Sequence, residues 1–145
     1  MDAASKTPWH LWVVGILALV WNGGGGLDYI MTQSENEGYL SQFTPEQRAF
    51  FTSIPVWAVS TWALSVWGAV LGSILLLFRS RYAVTCFGVA IITFLITAIY
   101  THGLAEPKIT DVVGTGAAVF SAIIFLITTA LWLYGRWMRT RGVLR

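Results

Sequence analysis

The chain has 145 residues, 56% of them hydrophobic and 11% charged, with a formal net charge of +2. A soluble domain carries about 25% charged residues, so this composition excludes an ordinary water-soluble globule and points to a lipid bilayer as the surrounding medium. The basic residues are dispersed or tied to segment ends, which leaves no cationic stripe for a phosphate backbone and argues against nucleic acid as a partner.

Four apolar segments run from Trp9 to Met31, Pro55 to Phe78, Tyr82 to Leu104 and Val112 to Tyr134. Each is near the roughly 20 residues that cross about 30 Å of hydrocarbon at 1.5 Å per residue. The expected fold is all-α: one transmembrane domain over residues 1–145, a four-helix bundle with short interfacial helices in the loop between the first two crossings.

Thr7 before Pro8 reads as an N-cap followed by the residue favoured at the first helical position, placing the first helix start near Trp9. Its leading apolar stretch is followed by Trp21 and Asn22 rather than by an A-x-A-like site, so the segment reads as retained rather than as a cleaved signal peptide. Its course is open at Gly23, Gly24, Gly25 and Gly26, each of which weakens a helix by about 1 kcal/mol relative to alanine. Either the helix continues to Met31 with the glycines flat against a neighbour, or it breaks at Asn22 and unwound backbone lines a cavity.

The connection from Thr32 to Ile54 is too long for a simple turn, and it contains two capping-box spacings, Ser34 with Glu37 and Thr44 with Gln47 behind Pro45. Two short helices are expected there. Tyr39, Leu40, Phe43, Phe50 and Phe51 supply apolar contacts that would hold them at the headgroup level, as a cover for the bundle or as a lid over a ligand.

In the second segment Gly68 and Gly72 make a GxxxG, and in the fourth Ala118 and Ala122 repeat the small-xxx-small spacing. Close backbone approach inside one bundle and dimerisation both explain these pairs. Cys86, the single cysteine, excludes an intramolecular disulfide and sits in an apolar run as a packing residue. Thr110 or Asp111 is expected to start the fourth helix.

Lys6, Arg79, Arg81, Arg136, Arg139, Arg141 and Arg145 fall on one side of this arrangement, and only Arg48 and Lys108 on the other. Asp2 is the single acid on the basic side; Asp28, Glu35, Glu37, Glu46, Glu106 and Asp111 collect opposite. The positive-inside rule therefore places both termini and the 79–81 turn in the cytoplasm.

Eight tryptophans are several times ordinary usage. Trp9, Trp12, Trp132, Trp137 and Trp57 fall at segment ends, where aromatic belts form. Trp21, Trp62 and Trp67 fall deeper, and with Asn22 they are the ligand-binding candidates, able to stack a ring-shaped solute or simply to pack against glycines. Trp62 and Trp67 are five residues apart, which argues against one stacking platform.

Asp28, His102, Glu106 and Asp111, with Lys108 among them, form the one plausible polar cluster, suited to a proton relay, a pH sensor or part of a metal site, or else simply solvated at the interface. Neither an HExxH nor a close histidine pair is present, so no metal site is assigned. The central membrane zone has no Asp, Glu, Lys or Arg, which disfavours an enzyme or a proton pump at mid-membrane.

The stretches LALVWNGGGGLDYIMTQ and FTPEQRAFFTSIPVWAVSTWALSVWGAVLGSILLLFRSRYA, together covering roughly the first 83 residues, resemble a family of small, functionally uncharacterised bacterial four-helix membrane proteins common in proteobacteria. Members are sometimes labelled sugar-transporter-like. The resemblance implies a bacterial cytoplasmic (inner) membrane and a continuous first helix, and it brings no catalytic residues with it. The four consecutive glycines depart from the bulkier run usual in that family. Function is expected to be that of a non-enzymatic accessory or interaction subunit, associating with itself or with a larger membrane complex. A small-solute carrier built on Trp21, Asn22, Trp62 and Trp67 is the alternative, and an enzyme built on Asp28 and His102 ranks third.

Overall fold

The computed structural model describes residues 6–145, and these residues form helices and connecting turns with no strand among them. Asp2 lies outside the described residues. The elements in order are α1 (Trp9–Gln33), α2 (Glu37–Leu40), α3 (Pro45–Thr52), α4 (Val56–Leu77), α5 (Tyr82–Ile99), α6 (Ile109–Val113) and α7 (Gly116–Thr140). A π-helical turn, Tyr100–Leu104, extends α5. Four helices, α1, α4, α5 with its π turn, and α7, are long and apolar enough to cross a membrane.

The long helices pack in chain order, α1 on α4, α4 on α5 and α5 on α7. The tightest approach, α4 against α5, follows from the two glycines of the GxxxG. A side chain at Gly68 would sit 3.4 Å from the Cys86 carbonyl oxygen, and one at Gly72 would lie 2.9 Å from the Phe87 ring. Phe87 is fully buried there. The GxxxG therefore serves the inside of the bundle, and a Thr61–Thr97 hydroxyl pair at 2.8 Å adds a polar contact across the same interface. Ala118 and Ala122 on α7 are exposed.

Of the two courses open to the first segment, the continuous one is found: α1 runs unbroken through all four glycines for 25 residues. Unwinding in apolar surroundings would strand backbone N–H and C=O groups with no water to take them. Contacts to α4 from Asn22, Gly26 and Tyr29, at i, i+4 and i+7, pin the run to its neighbour along one face. Pro8 rather than Thr7 occupies the N-cap, with extended backbone and no side-chain cap, so the predicted start is right by position while Thr7 has no capping role.

Both expected loop helices form. Thr44 and Gln47 make the predicted reciprocal box, each bond at 3.2 Å. The other box does not form, because Ser34 closes α1, its hydroxyl donating to the Met31 carbonyl at 3.4 Å. Asn36 caps α2 instead, accepting from the Tyr39 N–H at 3.0 Å. Leu40 and Phe50 are buried, and α2 and α3 pack back on α1.

The fourth span starts later and ends later than expected. Gly114, at φ 96°, takes a left-handed conformation open to glycine and separates the short α6 from α7, which then continues to Thr140 rather than Tyr134. Gly142, at φ 69°, reverses the chain after α7. Val143 and Leu144 then tuck into the apolar core formed by Leu11, Leu76, Phe87 and Met138. The residues on the basic side of the sequence thus gather at one end of the bundle, and the loop helices lie at the other.

Candidate functional site

The interior candidates lie along the α1–α4 interface. Asn22, 8% exposed, uses its amide nitrogen on the Ser73 hydroxyl at 2.9 Å and on the Ala69 carbonyl at 3.5 Å. Ser73, fully buried, passes its own proton to the same Ala69 carbonyl at 2.8 Å. The three groups form an interhelical polar knot that engages the Asn22 amide nitrogen, a bonding pattern that holds two helices together.

One turn further along, Gly26 meets the Trp67 ring, where an added Cβ would lie 3.3 Å from the indole. Tyr29 then stands edge-on to both Trp62, at 5.0 Å between centroids, and Trp67, at 6.3 Å. The two tryptophans thus engage one ring, supplied by the opposite helix rather than by a ligand. Edge-to-face packing of this kind satisfies the ring quadrupoles. Trp21 stands apart, tilted on Phe120 of α7 at 6.3 Å. Sequence reasoning missed Tyr29 and Ser73; Tyr29 was signalled by sharing the helical face of Asn22 and Gly26 at i+7.

The four polar candidates do not come together, and three of them take separate partners. The Tyr39 hydroxyl donates to the Asp28 carboxylate. His102 Nε2 pairs with the Ser121 hydroxyl at 3.0 Å, and Asp111 accepts from the Lys108 backbone N–H at 3.0 Å within its own turn. Glu106, in the exposed connection before α6, joins none of the other three by a hydrogen bond or ion pair. The chain separates them because α2 folds between α1 and solvent and takes Asp28, while His102, on the π turn, reaches α7. Among the described residues no group of three or more His, Cys, Asp or Glu side chains lies close enough to hold a metal ion.

Burial, followed by the bond to Asp28 and its negative charge, pushes the Tyr39 phenol up to about 12. Arg48 pairs with Glu37 at 2.7 Å, and that carboxylate raises the already high guanidinium value. Both contacts fasten the loop helices to each other and to α1. A small cleft of about 70 Å³ opens beside them, lined by Thr32, Gln33, Glu35, Phe51, Thr52, Ile54 and Val59. It has room for a few water molecules, far below the several hundred Å³ of a typical ligand pocket.

The other side of the glycine run differs from the face turned to α4. A Cβ added at Gly23, Gly24 or Gly25 would meet nothing within 4 Å. Val20 and Leu27 flank the bare stretch, 70% and 54% exposed. α1 therefore presents a notch of naked backbone between apolar knobs on the outside of the bundle.

No family model, curated protein or solved structure matches the chain.

Proposed function

We infer that this is a non-enzymatic integral membrane protein that acts as an interaction subunit, joining another transmembrane helix, of a second copy or of a larger assembly, through the outer face of α1. The observation that supports this is the bare glycine stretch Gly23–Gly25 on a surface helix. Glycine disfavours a helix by about 1 kcal/mol per residue relative to alanine, and these three positions gain no internal contact in exchange. In lipid, small residues let a second backbone approach closely, which is where van der Waals contact and weak Cα–H···O bonds accumulate.

The solute-carrier alternative has less support. Asn22, Trp62 and Trp67 are engaged across the α1–α4 interface, Trp21 packs on Phe120 of α7, and the cleft at the loop end is too small for a sugar or a quinone. The charge distribution supports a cytoplasmic location for the basic end and a bacterial inner membrane as the setting. α2 and α3 are then read as lying at the outer interface, with Leu40 and Phe50 turned inward and the polar caps outward.

Single cysteines at Val20 or Leu27, in a Cys86→Ala background, test the reading in native membranes. Oxidative or bifunctional crosslinking should trap a discrete adduct from α1, and a cysteine at Val119 on the exposed side of α7 should trap much less. A chain that stays monomeric from both faces, and that runs as a monomer in mild detergent, would sink the proposal. Uptake of a sugar or quinone into liposomes that is lost in Asn22→Leu would instead favour the carrier.

A further inference from the structure

The acidic side chains among the described residues all lie toward the loop end, where Arg48 and Glu37 form the one ion pair among those residues. The opposite end holds Lys6 and six arginines without an acidic partner among them. Two of the arginines rest on aromatic faces: Arg136 over Trp132 at 4.8 Å and Arg141 over Trp137 at 4.4 Å. Cation–π contacts of this kind accommodate a charge at a membrane interface.

Arg79 is held differently. It sits at φ 59° in the α4–α5 turn, its Nε donates to the Val143 carbonyl at 3.2 Å, and its Nη2 is buried with no acceptor among the described residues. The returning tail joins the same point through its backbone. The Arg145 N–H donates to the Arg79 carbonyl at 2.8 Å, and the Arg81 N–H donates to the Arg145 carbonyl at 2.9 Å. Three arginines are thereby tied together through their backbones, two of them with exposed side chains.

A guanidinium carries donors only, five N–H groups and no acceptor, so the buried Nη2 of Arg79 needs an oxygen from outside its own side chain. Leaving such a donor unmet costs its full desolvation, which is larger for a charged group than for a neutral one. The relief has to come as an acceptor. A buried guanidinium N–H beside two further arginines tied to it through the backbone calls for a group with several anionic oxygens, which phosphate offers in charge-assisted bonds. At the end of four apolar helices, such a turn lies at the depth of lipid phosphates.

We propose that Arg79, Arg81 and Arg145 form a binding site for a phosphate group, presented by an anionic lipid headgroup or as a free phosphate ion. Arg79 is the fixed member, its Nε occupied by the tail and its enclosed Nη2 reached by the phosphate when the side chain turns outward. The exposed Arg81 and Arg145 side chains close over the bound oxygens. Occupancy also holds the Val143–Leu144 tail in the core, because the same guanidinium serves both.

The test uses the full chain in neutral detergent, with retained lipid read by native mass spectrometry and thermal stability measured in parallel. Phosphatidylglycerol and phosphatidylcholine are offered as one pair, and inorganic phosphate against chloride at equal ionic strength as another. Wild type should retain phosphatidylglycerol over phosphatidylcholine by about tenfold or more, because both present a phosphodiester but the choline ammonium cancels its charge and is repelled by the arginines. Arg79→Gln and the double variant Arg81→Gln with Arg145→Gln should both abolish that preference. The double variant leaves the Arg79–Val143 bond in place, so it remains informative if Arg79→Gln misfolds. Arg139→Gln, which removes an exposed charge outside this framework, should leave the preference unchanged. Stabilisation by inorganic phosphate that both site variants lose, without a lipid preference, keeps the site and assigns its ligand to the soluble ion. No preference and no phosphate effect in wild type, or equal losses in the double variant and in Arg139→Gln, overturns the proposal.

Discussion

Gly23, Gly24 and Gly25 of α1 and the two glycines of α4 are the same residue in the same kind of helix, yet they do opposite things. Gly68 and Gly72 sit where α5 comes closest, and the space a side chain would need is filled by the Cys86 carbonyl and the Phe87 ring. Gly23, Gly24 and Gly25 have nothing beside them. A small-residue motif in a membrane helix thus marks a place where a backbone can approach, and only the packing tells whether one does. Gly26 shows how sharp the boundary is, since one residue after the open run it meets Trp67.

Substitutions should separate the two sets. Gly72→Leu is expected to be the most damaging, by about 3 kcal/mol, because the new side chain has to displace a fully buried Phe87. Unfolding in mild detergent with increasing denaturing detergent, followed by circular dichroism, measures the loss. A shift no larger than that of an exposed substitution on α7 would mean that α4 and α5 are less closely apposed than described.

Asn22→Leu is expected to cost about 1 kcal/mol, the usual worth of an interhelical hydrogen bond in a membrane. Ser73 keeps its bond to the Ala69 carbonyl, so no buried hydroxyl is orphaned. The same unfolding measurement applies, and a double-mutant cycle with Ser73→Ala should show coupling between the two.

Gly24→Ala should move stability the other way. With nothing within 4 Å of the new methyl group, the isolated chain should gain about 0.5–1 kcal/mol from helix propensity. The variant should at the same time weaken any crosslinked adduct formed through α1. Stabilisation with no effect on association would separate the open glycines from the proposed interface.

The smallest effect is expected from the loop. The Tyr39 phenol has its folded value near 12, above the ordinary 10.0, so the folded state holds the proton more firmly than the unfolded chain. Its contribution to stability is fully present below pH 10 and is lost as pH rises toward 12. A phenolate absorbance titration, with Tyr39→Phe subtracted, should show one tyrosine titrating in that upper range. If the subtracted component titrates at the ordinary value, Asp28 and Tyr39 are not paired in solution.

The loop also shows what can be read from local spacing. Thr44 with Gln47 behind Pro45 forms as read, because the box needs only residues within one turn of each other. Ser34 with Glu37 has the same spacing and fails, since α1 runs on to Gln33 and takes Ser34 as its own end. Asp28 and His102 show the limit for distant residues. Both fall near the same level of the bundle, but nothing in their spacing says that Tyr39 would reach Asp28 first or that the π turn would aim His102 at Ser121.

The sequence by itself determined the number of long apolar helices, the two loop helices and the segregation of arginines from acids. These depend on segment length, local capping and charge count, all of which are properties of contiguous residues. Tertiary structure decided that the four glycines stay helical, that Trp62 and Trp67 meet on Tyr29, and that the tail returns to join Arg145 to Arg79 and Arg81. The physical reason is that a glycine or an indole has no fixed role until a neighbour fills, or leaves open, the space beside it.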